Sequence, residues 1–100
     1  MELTDIQEHS EDINSDIIFK MGKSYEDKKD YDNMKKYYLM AIENGDSDAM
    51  YNLGNYYNFV KKDYDNMKKY YLMSIENGDS NSMSNLGHYY HFIEKDYDNM

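Results

Sequence analysis

Between residues 34 and 42 the apolar positions are Met34, Tyr37, Tyr38, Ala41 and Ile42, and the same spacing returns at Met67, Tyr70, Tyr71, Ser74 and Ile75. Steps of three and four residues place each set on one face of an α-helix. Asp30 and Asp32, and then Asp63 and Asp65, precede these faces, where carboxylates cap free amides and oppose the helix macrodipole. Asp32 with Lys35 and Lys36, and Asp65 with Lys68 and Lys69, have the spacing of intrahelical ion pairs. Gly45 and Gly78 follow as C′ stops, and "DSD" and "DSN" offer N-caps for the next helix. A second helical pattern alternates with the first: Met50, Leu53, Gly54 and Tyr57 return as Met83, Leu86, Gly87 and Tyr90, and more loosely as Ile18, Met21, Gly22 and Tyr25. Glycine inside a helix costs roughly 1 kcal/mol against alanine. Its return at one position predicts a compensating close approach of the following helix.

The two patterns belong to one repeating phrase. "DYDNMKKYY" occupies 30–38 and 63–71, and "DYDNM" closes the sequence at 96–100. Aligned on the glycines, 19–47 lies over 51–80 with one residue fewer before "KKD", and 84–100 is a third copy that ends where its second half begins. A fixed period of this length marks a repeat architecture whose unit is a helical hairpin. The organisation expected is an acidic leader at 1–14, either disordered or capping, then repeat 1 at 15–47, repeat 2 at 48–80 and a truncated repeat 3 at 81–100. That is about two and a half repeats, fewer complete layers than such arrays generally need. The 100-residue chain on its own is therefore expected to be only marginally stable, or to pair with another chain through Leu86, Tyr90 and Phe92.

The spacing Met50-x2-Leu53-Gly54-x2-Tyr57 resembles the opening of a tetratricopeptide repeat. "KKYYLMAIENGDSDAMYNLGNYY" (35–57) is similar to the Sel-1-like subfamily, in which paired aromatics precede a small-residue turn and an "N-L-G-x-x-Y" helix. The matching positions are Tyr37, Tyr38, Ala41, Ile42, Glu43, Gly45, Asp46, Ala49, Asn52, Leu53, Gly54 and Tyr57. "NFVKKDYD" departs from that subfamily, being shorter than its inter-helix loop and free of glycine. The resemblance implies an all-α fold, a right-handed α-solenoid of stacked helix–turn–helix repeats, with a concave face that holds protein partners. It implies an adaptor or scaffold, and packing roles for Met21, Gly22, Tyr25, Met34, Tyr37, Tyr38, Ala41, Ile42, Met50, Leu53, Gly54, Tyr57, Met67, Tyr70, Tyr71, Ile75, Met83, Leu86, Gly87 and Tyr90.

Composition narrows the function. Net charge is -9 over 100 residues, which disfavours nucleic acid or an anionic membrane as partner. All 11 basic residues are lysine, and Asn, Tyr, Ile and Asp abound, the bias of an AT-rich coding sequence. Repeats of this kind resemble those expanded in giant DNA viruses. Cysteine is absent, so no disulfide framework or thiolate metal site is available. The acidic N-terminal stretch lacks the apolar core of a secretory signal, and no run approaches a membrane span, so a cytoplasmic location, of the host cell if viral, is expected.

No nucleophile–base set, phosphate loop or catalytic carboxylate pair is present, so no enzyme activity and no cofactor is expected. His88, His91 and Glu94 share one side of a helix but have no fourth ligand, and repeat 2 carries Asn55, Asn58 and Lys61 there; no metal is expected. Beside the apolar stripe of each first helix lie Lys20 and Lys23, Asn52 and Asn55, and Asn85 and His88. Asparagine side chains can pair with both N–H and C=O of an extended peptide, and the lysines attract a carboxylate. These six are the candidate peptide-binding residues of an interaction module. The alternative is a structural, self-associating fragment of a longer scaffold with no ligand of its own.

Overall fold

The computed structural model describes residues 3–94, with side chains placed over 15–92; the third "DYDNM" lies outside the described residues. Five α-helices succeed one another: α1 (Leu3–Asp27), α2 (Tyr31–Glu43), α3 (Ser47–Asn55), α4 (Tyr64–Glu76) and α5 (Ser80–Tyr89). Two of them continue as π-helical turns, α3 into Tyr56–Lys61 and α5 into Tyr90–Glu94. No strand occurs among the described residues, and the fold class is an all-α helical repeat of the solenoid type. The chain divides into two compact units, 1–49 and 50–100, the division falling inside α3. Residues 3–14 of the acidic leader form the first part of α1.

In the first unit α1 and α2 make an antiparallel hairpin whose contact is centred on Gly22. A β-carbon there would stand 2.5 Å from the ring of Tyr38, so only a bare backbone admits the ring. Tyr38 is fully buried, stacks on Phe19 at 5.8 Å between centroids, and donates its hydroxyl proton to Glu26. Tyr25 stacks on Tyr37 at 5.5 Å with planes 6° apart. Met34 and Ala41 complete the buried face of α2, with Ile42 half-buried at its edge. Met21, expected in the packing set, is 38% exposed. The stripe of α1 that meets α2 runs through Phe19, Gly22 and Glu26, and Met21 lies one helical step off it.

The second unit repeats this joint. A β-carbon on Gly54 would stand 2.5 Å from the buried ring of Tyr71, and Tyr57 stacks on Tyr70 at 5.7 Å with planes 7° apart. Met67, Tyr71, Leu86 and Tyr89 form its core, against which Tyr51, Tyr57, Tyr64, Ile75 and Tyr90 pack. Met50, Leu53 and Tyr56 are also buried. Leu86 is thus a core residue and not the open contact expected of it. Met83, expected in the packing set, is 59% exposed. Met50, its counterpart in the preceding repeat, has its sulfur against the amide of Asn77, 27 residues further on. Gly87 differs from Gly22 and Gly54: a β-carbon there meets nothing within 4 Å among the described residues.

The turns explain how a sequence without glycine or proline between its paired helices reverses direction. Lys29 and Lys62 carry the left-handed conformation (φ 59° and 54°) that usually falls to glycine, at a cost of roughly 1–2 kcal/mol each. The return is a closed helix end. Asp30 N–H reaches back five residues to the carbonyl of Tyr25, and Asp63 N–H reaches back six to the carbonyl of Tyr57. The anchoring tyrosine is the same in both repeats, and the π turn at 56–61 absorbs the one extra residue of repeat 2. Asp30 and Asp63 cap α2 and α4, each taking the backbone N–H and side-chain amide of the asparagine three residues on. Gly45 and Gly78 (φ 83° and 91°) end those helices as the sequence predicts. Lys36 and Lys69, expected to pair with Asp32 and Asp65, lie instead over the rings of Tyr37 and Tyr70 at 5.5 and 5.1 Å. Lys68 lies over Tyr89 and Tyr90. The abundance of tyrosine gives each ammonium a nearby π face.

The two kinds of helical glycine should respond to alanine in opposite directions. Gly54→Ala forces a β-carbon onto the Tyr71 ring and should cost about 1–3 kcal/mol. Gly87→Ala adds a methyl to open space within a helix and should gain up to about 1 kcal/mol. Urea unfolding of both variants checks this; equal effects would contradict the packing described.

Candidate functional site

The buried hydroxyl of Tyr71 organises the polar side of the second unit. Tyr71 comes from α4, Asn55 and Asn58 from α3 and its π turn, and Asn85 from α5. The hydroxyl donates to Asn55 Oδ1 (2.5 Å) and accepts from the amides of Asn58 (3.3 Å) and Asn85 (3.3 Å). One donated and two accepted bonds are all that a phenol can make. Asn85 Nδ2 also meets Asn55 Oδ1 at 3.1 Å and Tyr51 Oη at 3.4 Å. Burial pushes the Tyr71 phenol above its ordinary pKa, with Tyr51 adding to the rise; the amides of Asn58 and Asn85 stabilise the phenolate and work against it. The Tyr57 phenol is raised too, by burial first and then by Tyr70, Tyr56 and Asp63.

This network orients the two asparagine amides. Asn55 spends its carbonyl oxygen on Tyr71 and Asn85; Asn85 spends its N–H2 on Tyr51, Asn55 and Tyr71. The remaining ends are a donor, Asn55 Nδ2, and an acceptor, Asn85 Oδ1, neither with a partner among the described residues. Both side chains are half-buried and held from beneath. Such a pair matches the C=O and N–H of a peptide backbone. The Tyr71 hydroxyl gives its single proton to Asn55 Oδ1 and takes one from each of the Asn58 and Asn85 amides, which turns the Asn55 NH2 and the Asn85 oxygen away from it.

The other candidates are placed differently. Lys20 and Lys23 are exposed on α1 in the first unit, and Lys20 Nζ lies 3.0 Å from Asp16 in an i,i+4 pair. Asn52 is half-buried and already engaged. His88 is exposed, with its ring 4.5 Å from that of Phe92. His91 contacts the same Phe92 ring at 4.4 Å, and the side chain of Glu94 lies outside those described. Sequence reasoning named Asn55 and Asn85 but missed Tyr71 Oη and Asn58 as their support. The signal available was the recurrence of a tyrosine 16 or 17 residues after each helical glycine, Tyr38 after Gly22 and Tyr71 after Gly54.

The hairpin α1–α2, with its ring-filled glycine notch, is the geometry of a helical repeat, and comparison with known families agrees. Residues 16–44 match the tetratricopeptide repeat family. Tetratricopeptide repeats generally mediate protein–protein interaction and are generally non-catalytic. The tetratricopeptide-like unit thus covers the α1–α2 joint, and the identity of 30–38 with 63–71 carries its second-helix pattern into α4. No curated protein and no solved structure matches the chain. No helix among the described residues is long and apolar enough to cross a membrane.

Tyr71→Phe keeps the ring in the Gly54 notch but strands the buried Asn58 amide, and should destabilise the protein by about 1–3 kcal/mol. Raised phenols carry a pH signature: the unfolded chain releases these protons first, near pH 10. Stability should hold below that value and decline as pH rises through the folded values. Urea midpoints from pH 8 to 11 should show this decline, shallower in Tyr71→Phe; identical slopes would contradict the assignment.

Proposed function

We propose that this protein is a non-catalytic interaction module of the Sel-1-like type that binds an extended peptide segment of a protein partner. The carrying observation is the outward donor–acceptor pair, Asn55 Nδ2 and Asn85 Oδ1, held by a buried hydroxyl with no spare bonds. A rigid pair loses little conformational freedom when it captures a backbone, which favours affinity. The tetratricopeptide match supports the class of activity, and the aromatic pair, small-residue turn and "NLG" helix of 35–57 support the subtype. In repeat register Lys20 stands where Asn52 stands, and Lys23 and His88 stand in line with Asn55; Lys20, Lys23, Asn52 and His88 extend the proposed contact set, the lysines toward an acidic residue or a terminal carboxylate. The repeat boundaries proposed are 15–47, 48–80 and 81–100, after the leader at 1–14. The arginine-free, asparagine-rich composition supports an AT-rich, giant-virus type of origin and a place in the host cytoplasm.

Asn55→Asp separates binding from folding. The carboxylate still accepts from Tyr71 and Asn85, while the outward donor is lost. Peptides selected from a displayed library on the wild-type protein should bind this variant about tenfold more weakly, the value of one hydrogen bond of roughly 1.4 kcal/mol. Undiminished binding, with unchanged thermal stability, would remove Asn55 from the site.

A further inference from the structure

The phrase "IENGDS" occurs at 42–47 and again at 75–80, and each copy ends the second helix of a hairpin. Asparagine followed by glycine is a chemically labile pair, because no side chain shields the glycine nitrogen from the asparagine amide. Asn44, Gly45, Asn77 and Gly78 are all exposed, and a β-carbon on either glycine would meet nothing within 4 Å, so water reaches both turns. Identical sequence gives the two pairs the same intrinsic reactivity. Any difference between them is imposed by the fold.

The backbone resists reaction alike in both turns. ψ is 8° at Asn44 and 14° at Asn77, which turns the next nitrogen away from the side chain. That nitrogen also donates to the helix, Gly45 N–H to the Ile42 carbonyl at 2.8 Å and Gly78 N–H to that of Ile75 at 2.9 Å. Ring closure therefore waits for the last helical turn to open, as helix ends do readily. The side chains differ. Asn77 Nδ2 donates to the carbonyl of Met73 at 2.8 Å and lies 3.6 Å from the sulfur of Met50, which ties the amide down. The Asn44 side chain has no partner among the described residues. In repeat register Ile18 stands at the place of Met50 and offers no acceptor.

We propose that Asn44 is a site of spontaneous covalent modification, converting to aspartate and isoaspartate ahead of Asn77. The Gly45 nitrogen gives up its proton and attacks Asn44 Cγ. The N–Cγ bond forms, the Cγ–Nδ2 bond breaks, and Nδ2 leaves as ammonia carrying that proton. Water then opens the cyclic imide, at Cγ to give aspartate or at the main-chain carbonyl to give isoaspartate. Either product places a carboxylate at the C-terminal end of α2, beside Glu43 and Asp46, where the macrodipole is also negative. Isoaspartate also lengthens the main chain within the turn and puts the Asp46 N–H out of register with the Ala41 carbonyl that it now meets at 3.2 Å. Modification thus loosens the turn from α2 into α3, and the age of the protein sets the share that carries it. The inference does not rest on the peptide-binding reading.

The test uses the full 100-residue chain, its helicity confirmed by circular dichroism, incubated at mildly alkaline pH with and without denaturing urea. Trypsin places the two sites in different peptides, 37–61 and 70–95. Mass spectrometry locates the amide-to-acid change in each, and isoaspartyl methyltransferase labelling identifies the rearranged product. In urea the two sites should react at equal rates. In the folded chain Asn44 should react at least about threefold faster than Asn77, the factor that one hydrogen bond of ordinary net worth supplies. Asn44→Gln should remove the change from the first peptide and leave the rate at Asn77 as it was. Equal rates in the folded chain, or faster reaction at Asn77, overturn the proposal. Reaction at neither site until urea is added does so as well, because the turn then protects Asn44 too. Unequal rates that persist in urea assign the difference to flanking sequence and likewise overturn it.

Discussion

Each of the two helical joints centred on Gly22 and Gly54 depends on a tyrosine ring lying against bare backbone. Gly22 and Gly54 permit what no other residue would, an aromatic ring within 2.5 Å of the β-carbon position. A helical glycine costs roughly 1 kcal/mol in propensity, and a buried aromatic side chain recovers more than that through burial alone. The ring's hydroxyl would be expensive to bury unpaired. Each copy therefore supplies a partner, Glu26 for Tyr38 and Asn55 for Tyr71. A core assembled mainly from tyrosine and methionine, at a mean hydropathy of -1.07, is workable only because its hydroxyls are accommodated in this way.

The consequence for function is that the polar side of the joint is already committed. Tyr71 fixes which end of Asn55 and of Asn85 faces inward, and so fixes what the outward ends can recognise. The small buried positions show similar economy. Ser74 and Ser82 both give their hydroxyls to Asp79 Oδ2, whereas repeat 1 has Ala41 and Ala49 at those places and Asp46 takes only backbone N–H groups. Copies of one unit thus differ by paired changes that keep every buried group satisfied, and no buried side-chain N or O lacks a partner among the described residues.

Much of the fold was legible because helix periodicity and helix stops are local signals. Met34, Tyr38 and Ala41, and Gly45 with its positive φ, follow from the pattern within a dozen residues. The notch itself was legible from the cost of Gly22 and Gly54. What the pattern hid was conditional on partners far along the chain. Met83 and Gly87 carry the same letters as Met50 and Gly54, yet are exposed, because burial belongs to the pair and not to the residue. The extra residue of repeat 2 was visible as an alignment gap, but its form as a π turn depends on the Asp63–Tyr57 backbone bond. Asn55 and Asn85 were chosen for hydrogen-bonding capacity alone; their orientation follows from a buried phenol 16 residues from one and 14 from the other.

A double-mutant cycle between Gly54 and Tyr71 tests the notch most directly. Stability would be measured for the wild type, Gly54→Ala, Tyr71→Ala and the double variant by urea unfolding. If the ring is why glycine is required, the alanine at 54 is harmful only while the ring is present. In the Tyr71→Ala background it should be neutral or stabilising, giving a coupling of about 1–3 kcal/mol. Additive effects, with Gly54→Ala costing the same whether or not the ring is there, would contradict the account.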